Sequence, residues 1–241
     1  MKKAWKEGIS VFDDRAAVLH AYLANRGLEP LAAASALEEG TARFHPSLPL
    51  WEKGEKPGDK PVHVGNFPCL LTLVRNGQGE PATIHRTWLA EDGSGKAPVP
   101  KPRKLMARPS GRSLQGAHIP LGGMPEDGVI GVAEGVETAL AAFQGTKTPT
   151  WPCLSEKLLR QFVPPAGTKG VIVFADRDPS GIGAEAAQEL ASRLEREHNI
   201  PAKVVVPPAP TSGDKADWLD TLNEYGETGF PQRRSQRRAA A

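Results

Sequence analysis

Cysteine is scarce in this chain, and its few cysteines are not arranged for metal or disulfide chemistry. The 241 residues include two cysteines, Cys69 and Cys153, which lie far apart and form no CxxC pair. Neither a zinc ribbon nor a disulfide framework is therefore encoded. Proteins without disulfides are typical of reducing compartments, so we expect a cytoplasmic protein.

Long apolar runs are also missing. No apolar segment approaches the ~20 residues needed to cross a bilayer, so no membrane span is predicted. The first ten residues, MKKAWKEGIS, carry lysines but no apolar stretch, and we expect no secretory signal there. Hydrophobic residues make up 39% and charged residues 24% of the chain, which is ordinary for a globular protein of one large or two small domains.

The net charge of +2 hides an uneven distribution of charge. Residues 96–112 contain only basic charges, and four arginines occupy the last residues: Arg233, Arg234, Arg237 and Arg238. Acidic residues gather around 126–137, 176–195 and 214–227. Separate basic and acidic zones favour a polyanionic partner together with a cation-binding site, although a solvated basic loop would give the same composition.

The N-terminal part is predicted to combine helices with an antiparallel hairpin. Apolar spacing predicts two helices within residues 14–38. Residues 46–66 are rich in Pro, Gly and Lys and predict a loop. Two β-rich runs flank the turn residues 76–79 and predict a hairpin over 69–90, followed by the basic loop 96–112.

From Gly128 onward, apolar strands alternate with helices. This order predicts a parallel sheet covered by helices on both faces, and hence an α/β fold. We place a smaller α+β subdomain at 1–125, the parallel α/β domain at 126–228, and a basic, disordered tail at 229–241.

Three acidic residues follow strands of the predicted parallel sheet. Glu134 ends the strand GVIGVA, and Asp176 and Asp178 end the strand in VIVFADRDPSG. Ligands of open parallel sheets bind at the carboxyl ends of the strands, where these side chains would meet. Carboxylates in such proximity repel one another unless a cation lies between them, and hard oxygen ligands suit Mg²⁺ or Mn²⁺. A capping aspartate followed by a surface aspartate would look similar in sequence.

A further acidic group lies in TSGDKADWLD. Asp214 and Asp220 are interpreted as favourable residues at the start of a helix, whereas Asp217 is equally a helix residue or an additional acid of the cation site.

These motifs resemble the Toprim domain, which is shared by primases, topoisomerases and some nucleases. VIGVAEGVETAL at 129–140 and FADRDPSG at 174–181 are similar to its Glu-Gly and Asp-x-Asp signatures, each following a strand. KADWLD at 215–220 resembles the closing Asp-Trp of primase-helicases from plasmids, phages and integrative elements, with Leu219 where Asn is usual. The resemblance implies a Rossmann-like sheet in the C-terminal domain.

The N-terminal part resembles the same branch. AYLANRGL at 21–28 and IHRTWLAEDGSGKA at 84–97 are similar to segments that precede the Toprim domain in such primases. The family usually adds a zinc-binding module and often a helicase domain, and this sequence encodes neither. The chain is therefore interpreted as an isolated catalytic core, a separately encoded subunit or a fragment. The resemblance implies a bacterial or phage primase core, with a helicase and a separate zinc-binding module as candidate partners.

What the resemblance implies is a DNA primase that makes short RNA primers on single-stranded DNA for replication, joining NTPs by metal-dependent nucleotidyl transfer with Mg²⁺ or Mn²⁺. The implied catalytic residues are Glu134, Asp176 and Asp178, with Asp217 as a further metal-binding acid. The implied contacts to nucleic acid or nucleotide phosphates are Lys96, Lys101, Arg103, Lys104 and Arg108. Trp51 and Trp88 are candidates for stacking on bases, with a core position as the alternative for Trp88.

Two alternative functions are consistent with the sequence. A Toprim nuclease would employ the same acids with water as the nucleophile, and a non-catalytic DNA-binding accessory subunit would need none of them. A topoisomerase is disfavoured because the chain has only Tyr22 and Tyr225, neither in a context that resembles a cleavage tyrosine.

Overall fold

The structure is a computed structural model that describes residues 1–37, 40–54, 56 and 58–231. The four arginines near the C-terminus, and most of the tail predicted at 229–241, lie outside the described residues. The chain forms two compact units. The N-terminal unit contains residues 1–123 and 161–166, and the C-terminal unit contains residues 124–160 and the chain from 167 onward.

The N-terminal unit is an α+β structure built on an antiparallel sheet of order β1-β2-β3-β4. Its helices are α1 (Lys2–Glu7), α2 (Ala17–Asn25) and α3 (Pro30–Ala36), with a short 3-10 helix at Asp14–Ala16. Its strands are β1 (Ala42–Glu52), β2 (Val62–Arg75), β3 (Pro81–Trp88) and β4 (Arg103–Leu105).

The predicted loop at 46–66 is too long and is wrong at both ends, because β1 continues to Glu52 and β2 begins at Val62. Strand β1 lies at the edge of the sheet, where Pro46 and Pro49 do not interrupt a second row of hydrogen bonds. A register shift between His45 and Leu48 accommodates the first of these prolines.

The predicted hairpin is confirmed by the pairing of β2 with β3. Asn76 closes its turn, since the side-chain oxygen accepts hydrogen bonds from the backbone N–H groups of Gln78 and Glu80 at 3.0 and 2.9 Å. Further along the chain, His118 forms an isolated antiparallel bridge with Arg75 of β2.

Trp88 is the largest side chain buried in the N-terminal unit. It packs with Leu48, Leu50, Leu71 and Ile84, and its indole N–H donates a 3.1 Å hydrogen bond to the carbonyl of Leu48. Its alternative assignment to the core is therefore correct, and it is not available for stacking on bases.

The C-terminal unit is a parallel sheet of order β6-β5-β7-β8 with helices between its strands, as the sequence predicts. Its strands are β5 (Val129–Ala133), β6 (Thr150–Pro152), β7 (Gly170–Phe174) and β8 (Ala202–Val205). Its helices are α4 (Val136–Thr146), α5 (Glu156–Arg160), α6 (Ile182–His198) and α7 (Trp218–Tyr225), followed by a 3-10 helix at Gly226–Gly229.

Trp218 fastens α7 to the end of β7. Its indole N–H donates to the carbonyl of Ala175 at 3.1 Å, and its ring meets Phe174 edge-on with centroids 5.3 Å apart. Phe230 covers the other side of the Trp218 ring at 5.1 Å and lies against Gly145 of α4. The first residues of the predicted tail are thus packed into this unit.

No helix within the described residues is both long enough and apolar enough to cross a membrane.

We predict that Gly131→Ala destabilises the C-terminal unit. A Cβ atom at Gly131, in the central strand β5, would lie 2.3 Å from the Thr150 hydroxyl oxygen and 2.8 Å from the Phe174 ring. Forcing one extra carbon into a packed core costs ~1–3 kcal/mol. Gly170→Ala in the neighbouring strand is the matched control, because its nearest new contact is an ordinary 3.6 Å. Urea unfolding measures both, and an equal midpoint for the two variants would contradict the expected clash.

Candidate functional site

The ends of β5 and β7 bring the predicted acids to one place. The two strands pair in parallel with Ala133 opposite Phe174, so the residues that follow them emerge at the same edge. They open onto a cavity of about 140 Å³. The residues that line this acidic cavity are Glu134, Glu156, Leu159, Phe174, Ala175, Asp176, Asp178, Ile182 and Gly183.

Asp176 is the electrostatic centre of the acidic cavity. Its Oδ1 atom is buried and accepts no hydrogen bond from any described residue. Burial, followed by the charges of Asp217, Glu134, Asp178 and Asp220, raises the pKa of Asp176 to about 7. A cation beside this carboxylate would supply the missing partner and remove the repulsion.

Asp178 has a different environment. Its Oδ1 atom accepts hydrogen bonds from the hydroxyl group of Ser180 and, at 2.7 Å, from its backbone N–H. These bonds lower the pKa of Asp178, so it is the readily ionised member of the pair. Gly181 then starts α6 with a φ of 69°, a left-handed conformation that glycine adopts without strain.

Asp217 caps helix α7. Its Oδ1 atom accepts from the backbone N–H groups of Leu219 and Asp220 at 2.7 and 2.9 Å. The carboxylate of Asp220 accepts from the backbone N–H of Asp217 at 2.9 Å and completes a capping box. Backbone pairing of Ala216 with Arg177 holds the cap beside the Asp-x-Asp segment, and among the charged neighbours Asp217 raises the pKa of Asp176 most.

Glu156 is an acid of the cavity that the sequence reasoning missed. It lies at the first turn of α5, and its Oε1 atom accepts a 2.6 Å hydrogen bond from the guanidinium of Arg160. Arg160 also bridges to Glu185 at 3.5 Å and to Glu189 of α6. The Glu-x-x-x-Arg spacing shortly after β6 predicts the ion pair itself, but not that Glu156 lines the cavity.

The approach to α5 is conformationally unusual. Leu154 has a φ of 71°, which is costly for a residue other than glycine, and its N–H donates a 2.8 Å hydrogen bond to the carbonyl of Glu134. The segment that carries Glu156 is thereby tied to the segment that carries Glu134.

The described residues contain no group of three or more His, Cys, Asp or Glu side chains arranged to hold one metal ion. Part of the reason is that two of the predicted acids have other partners: Asp178 accepts hydrogen bonds from Ser180, and Asp217 caps α7. The residues nevertheless fit a divalent cation in their chemistry, because Glu134, Glu156 and Asp178 line the same cavity as Asp176, whose buried Oδ1 has no hydrogen-bond partner among the described residues.

The predicted nucleic-acid contacts all lie in the N-terminal unit but do not form one cluster. Lys101 and Lys104 line a groove with Trp51, whereas Lys96 lines a separate depression beside Phe67. The remaining two are exposed: Arg103 on β4 and Arg108 in the loop after it.

Two family profiles match this chain, one in each part. Residues 129–228 match the Toprim domain, and residues 1–116 match a domain of unknown function, DUF7146. The C-terminal part of the chain is therefore a Toprim domain, in agreement with the resemblance of its motifs. No curated protein sequence matches the chain.

Solved structures with a similar fold are catalytic cores of DNA primases. The RNA polymerase domain of Mycobacterium tuberculosis primase DnaG is 16% identical, with a TM-score of 0.54 over 94% of this chain and 78% of that one. The E. coli primase catalytic core is 15% identical, with a TM-score of 0.58 over 92% and 73%. A DnaG primase catalytic domain bound to ssDNA is 16% identical, with a TM-score of 0.57 over 94% and 74%. At these identities the likeness establishes the fold: a Toprim domain that follows an N-terminal α+β region.

We predict that Asp176→Asn stabilises the metal-free protein in a pH-dependent way. The pKa of Asp176 is raised from 3.8 to about 7, so its contribution to stability is complete below about pH 4 and is lost as the pH rises through about 7. A neutral Asn avoids this loss. The melting temperature of the variant relative to wild type should therefore increase by a few degrees between pH 4 and pH 8.

Asp178→Asn is the matched control and should show no such gain, because Ser180 already stabilises the ionised form of Asp178. Mg²⁺ or Mn²⁺ should raise the melting temperature of wild type at pH 8 and have little effect on Asp176→Asn. A stabilisation by Asp176→Asn that is equal at all pH values would contradict the raised pKa of Asp176, because a neutral side chain helps only where Asp176 would be ionised.

Proposed function

We propose that this chain is the catalytic core of a DNA primase that joins NTPs into short RNA primers on single-stranded DNA. The observation that carries the proposal is the buried, unpartnered Oδ1 of Asp176, which lies among other acids at the carboxyl ends of two Toprim strands. The primase-core fold of the described chain supports primer synthesis over other Toprim chemistry.

Glu134, Asp176 and Asp178 are the residues we assign to Mg²⁺ or Mn²⁺. When bound, divalent ions in such sites neutralise the charge that develops on the transferred phosphate and the leaving pyrophosphate. Glu134 follows β5 directly, whose backbone pairing with β6 and β7 on either side limits its movement. We assign Glu134 either as a metal ligand or as the general base that accepts the proton of the attacking 3′-hydroxyl.

Asp217 contributes to the same site through its charge. Its Oδ1 is engaged at the start of α7, yet the carboxylate is the strongest charged influence on Asp176. We propose that it strengthens cation binding by keeping the cavity negative, in line with its resemblance to the acid that closes primase Toprim domains.

The basic residues of the N-terminal unit are proposed to hold template or nucleotide phosphates. A structural neighbour is a DnaG catalytic domain bound to ssDNA, which supports this assignment. Lys96, Lys101, Arg103, Lys104 and Arg108 are the candidates. A helicase and a separate zinc-binding module remain the proposed protein partners, by resemblance to the family.

Primer synthesis by the purified chain tests the proposal. The reaction contains single-stranded DNA, labelled NTPs and Mg²⁺ or Mn²⁺. We expect short labelled RNA products from wild type and a loss of at least about a hundredfold in the Asp176→Asn/Asp178→Asn double variant, since removing the ligands abolishes metal-assisted charge stabilisation.

Glu195→Gln/Glu197→Gln is the matched control, because it also removes two negative charges. Both residues lie near the C-terminal end of α6, and neither lines the acidic cavity. This variant should keep full activity. Absence of primers from wild type with an intact template would contradict the proposal. Degradation of the template by wild type alone would make a Toprim nuclease the better assignment.

A further inference from the structure

Arg160 is shared by three carboxylates from two helices. Its Nε atom donates a 2.6 Å hydrogen bond to Oε1 of Glu156, one turn earlier in α5. Its other two nitrogens face α6, where one contacts Glu189 and the other lies 3.5 Å from Glu185. A single positive charge faces three negative ones, so these four side chains together keep a net negative charge.

Glu156 is the member of this cluster that faces the acidic cavity. Its side chain is 37% exposed, compared with 67% for Glu185 and 56% for Glu189, which line a different groove of about 470 Å³. Its second oxygen, Oε2, accepts no hydrogen bond from another residue that the structure describes. Arg160 therefore fixes one oxygen of Glu156 and leaves the other without a protein donor.

The backbone before α5 also holds Glu156 in place. The N–H groups of Cys153 and Leu154 donate 2.8 Å hydrogen bonds to the carbonyls of Ala133 and Glu134. Leu154 keeps its left-handed φ of 71°, a conformation that persists in a residue other than glycine only where the surrounding structure fixes it. Glu156 is thus positioned from the backbone side by β5 and from the side-chain side by Arg160.

The acidic cavity has room for water as well as for a cation. Its volume of about 140 Å³ corresponds to roughly four or five water molecules at ~30 Å³ each. Within the described part of the chain, no three acids converge closely enough to hold an ion by themselves. Divalent ions such as Mg²⁺ retain several water ligands in sites of this kind, and those waters need hydrogen-bond acceptors.

We propose that Glu156, held by Arg160, accepts hydrogen bonds from the water ligands of a cation bound beside Asp176. Carboxylates in this position orient the ligands of a metal and raise its affinity. Glu156 is then a positioning residue, which acts through the cation and does not contact the reacting atoms. The inference rests on the proposed function, of which the cation is a part, and it adds an acid that lies outside the Glu-Gly, Asp-x-Asp and Asp-Trp motifs.

Binding of Mn²⁺ to the purified full chain tests the proposal, with the electron paramagnetic resonance signal of the free ion as the readout. Glu156→Gln keeps an oxygen that accepts from Arg160 but removes the charge. It should weaken Mn²⁺ binding about 10- to 100-fold, the range typical for loss of an outer-shell partner.

Glu197→Gln is the matched control for Glu156→Gln. Glu197 also accepts a hydrogen bond from an arginine, Arg196 at 2.9 Å, but it lies near the C-terminal end of α6 and does not line the acidic cavity. This variant should bind Mn²⁺ as tightly as wild type.

The rise in melting temperature on addition of Mn²⁺ provides a second measurement. It compares each variant with itself, so any change in metal-free stability cancels. A variant with tenfold weaker affinity needs tenfold more Mn²⁺ for the same rise, and we expect this displacement for Glu156→Gln but not for Glu197→Gln. A lower metal-free melting temperature of Glu156→Gln with unchanged Mn²⁺ affinity would show that Glu156 only joins α5 to α6, and would overturn the inference.

Equal Mn²⁺ affinity of Glu156→Gln and wild type, an equal loss in Glu197→Gln, or no binding of Mn²⁺ by wild type would each overturn it as well. The proposed function is judged separately, by primer synthesis. Primers from wild type, together with unchanged Mn²⁺ affinity in Glu156→Gln, would remove the role of Glu156 and leave the primase proposal intact. Mn²⁺ affinity that depends on Glu156, in a wild type that makes no primers, would support the inference and contradict the primase proposal.

Discussion

Repulsion between carboxylates at the end of a parallel sheet is the constraint on which the C-terminal unit depends. Burial alone disfavours ionised Asp176, and the charges of Asp217 and Glu134 disfavour it further. Packing fixes these acids in place, because strand pairing, the Trp218 bond to Ala175 and the bridge between Arg177 and Ala216 leave little freedom for separation. A fold that holds its acids this closely loses stability in the absence of a cation and gains affinity for one.

Three acids in or beside the acidic cavity have hydrogen-bond partners that stabilise their charge, unlike Oδ1 of Asp176. Ser180 hydrogen-bonds Asp178, the start of α7 occupies Asp217, and Arg160 binds Glu156. The remaining buried oxygen of Asp176 has no such partner among the described residues. Buried polar atoms are normally paired, and this oxygen lies in a cavity lined by other carboxylates, where a cation would supply the missing partner.

The sequence predicts the parts of the site that depend on strand order. Glu134, Asp176 and Asp178 line one cavity because parallel neighbouring strands end at the same edge, which alternating apolar runs reveal. Glu156 was missed because it reaches the cavity from the start of α5, after a left-handed Leu154 that nothing in the composition indicates.

The loop predicted at 46–66 was too long for a different reason. Prolines suggest irregular structure, but an edge strand such as β1 tolerates them. The basic run at 96–112 predicts a positively charged surface. It does not predict that Lys96 and Lys101 line different depressions.

The packing of Phe230 shows that the folding unit is longer than the stretch of sequence its family shares. The Toprim match ends at residue 228, yet the ring of Phe230 covers Trp218 and fills the space left by Gly145. A domain cut at the family boundary would expose the indole that secures α7 to the sheet, and with it the helix whose first residue is capped by Asp217. The position of Asp217 beside the acidic cavity therefore depends on an aromatic residue that does not line the cavity and lies outside the stretch that matches the Toprim domain.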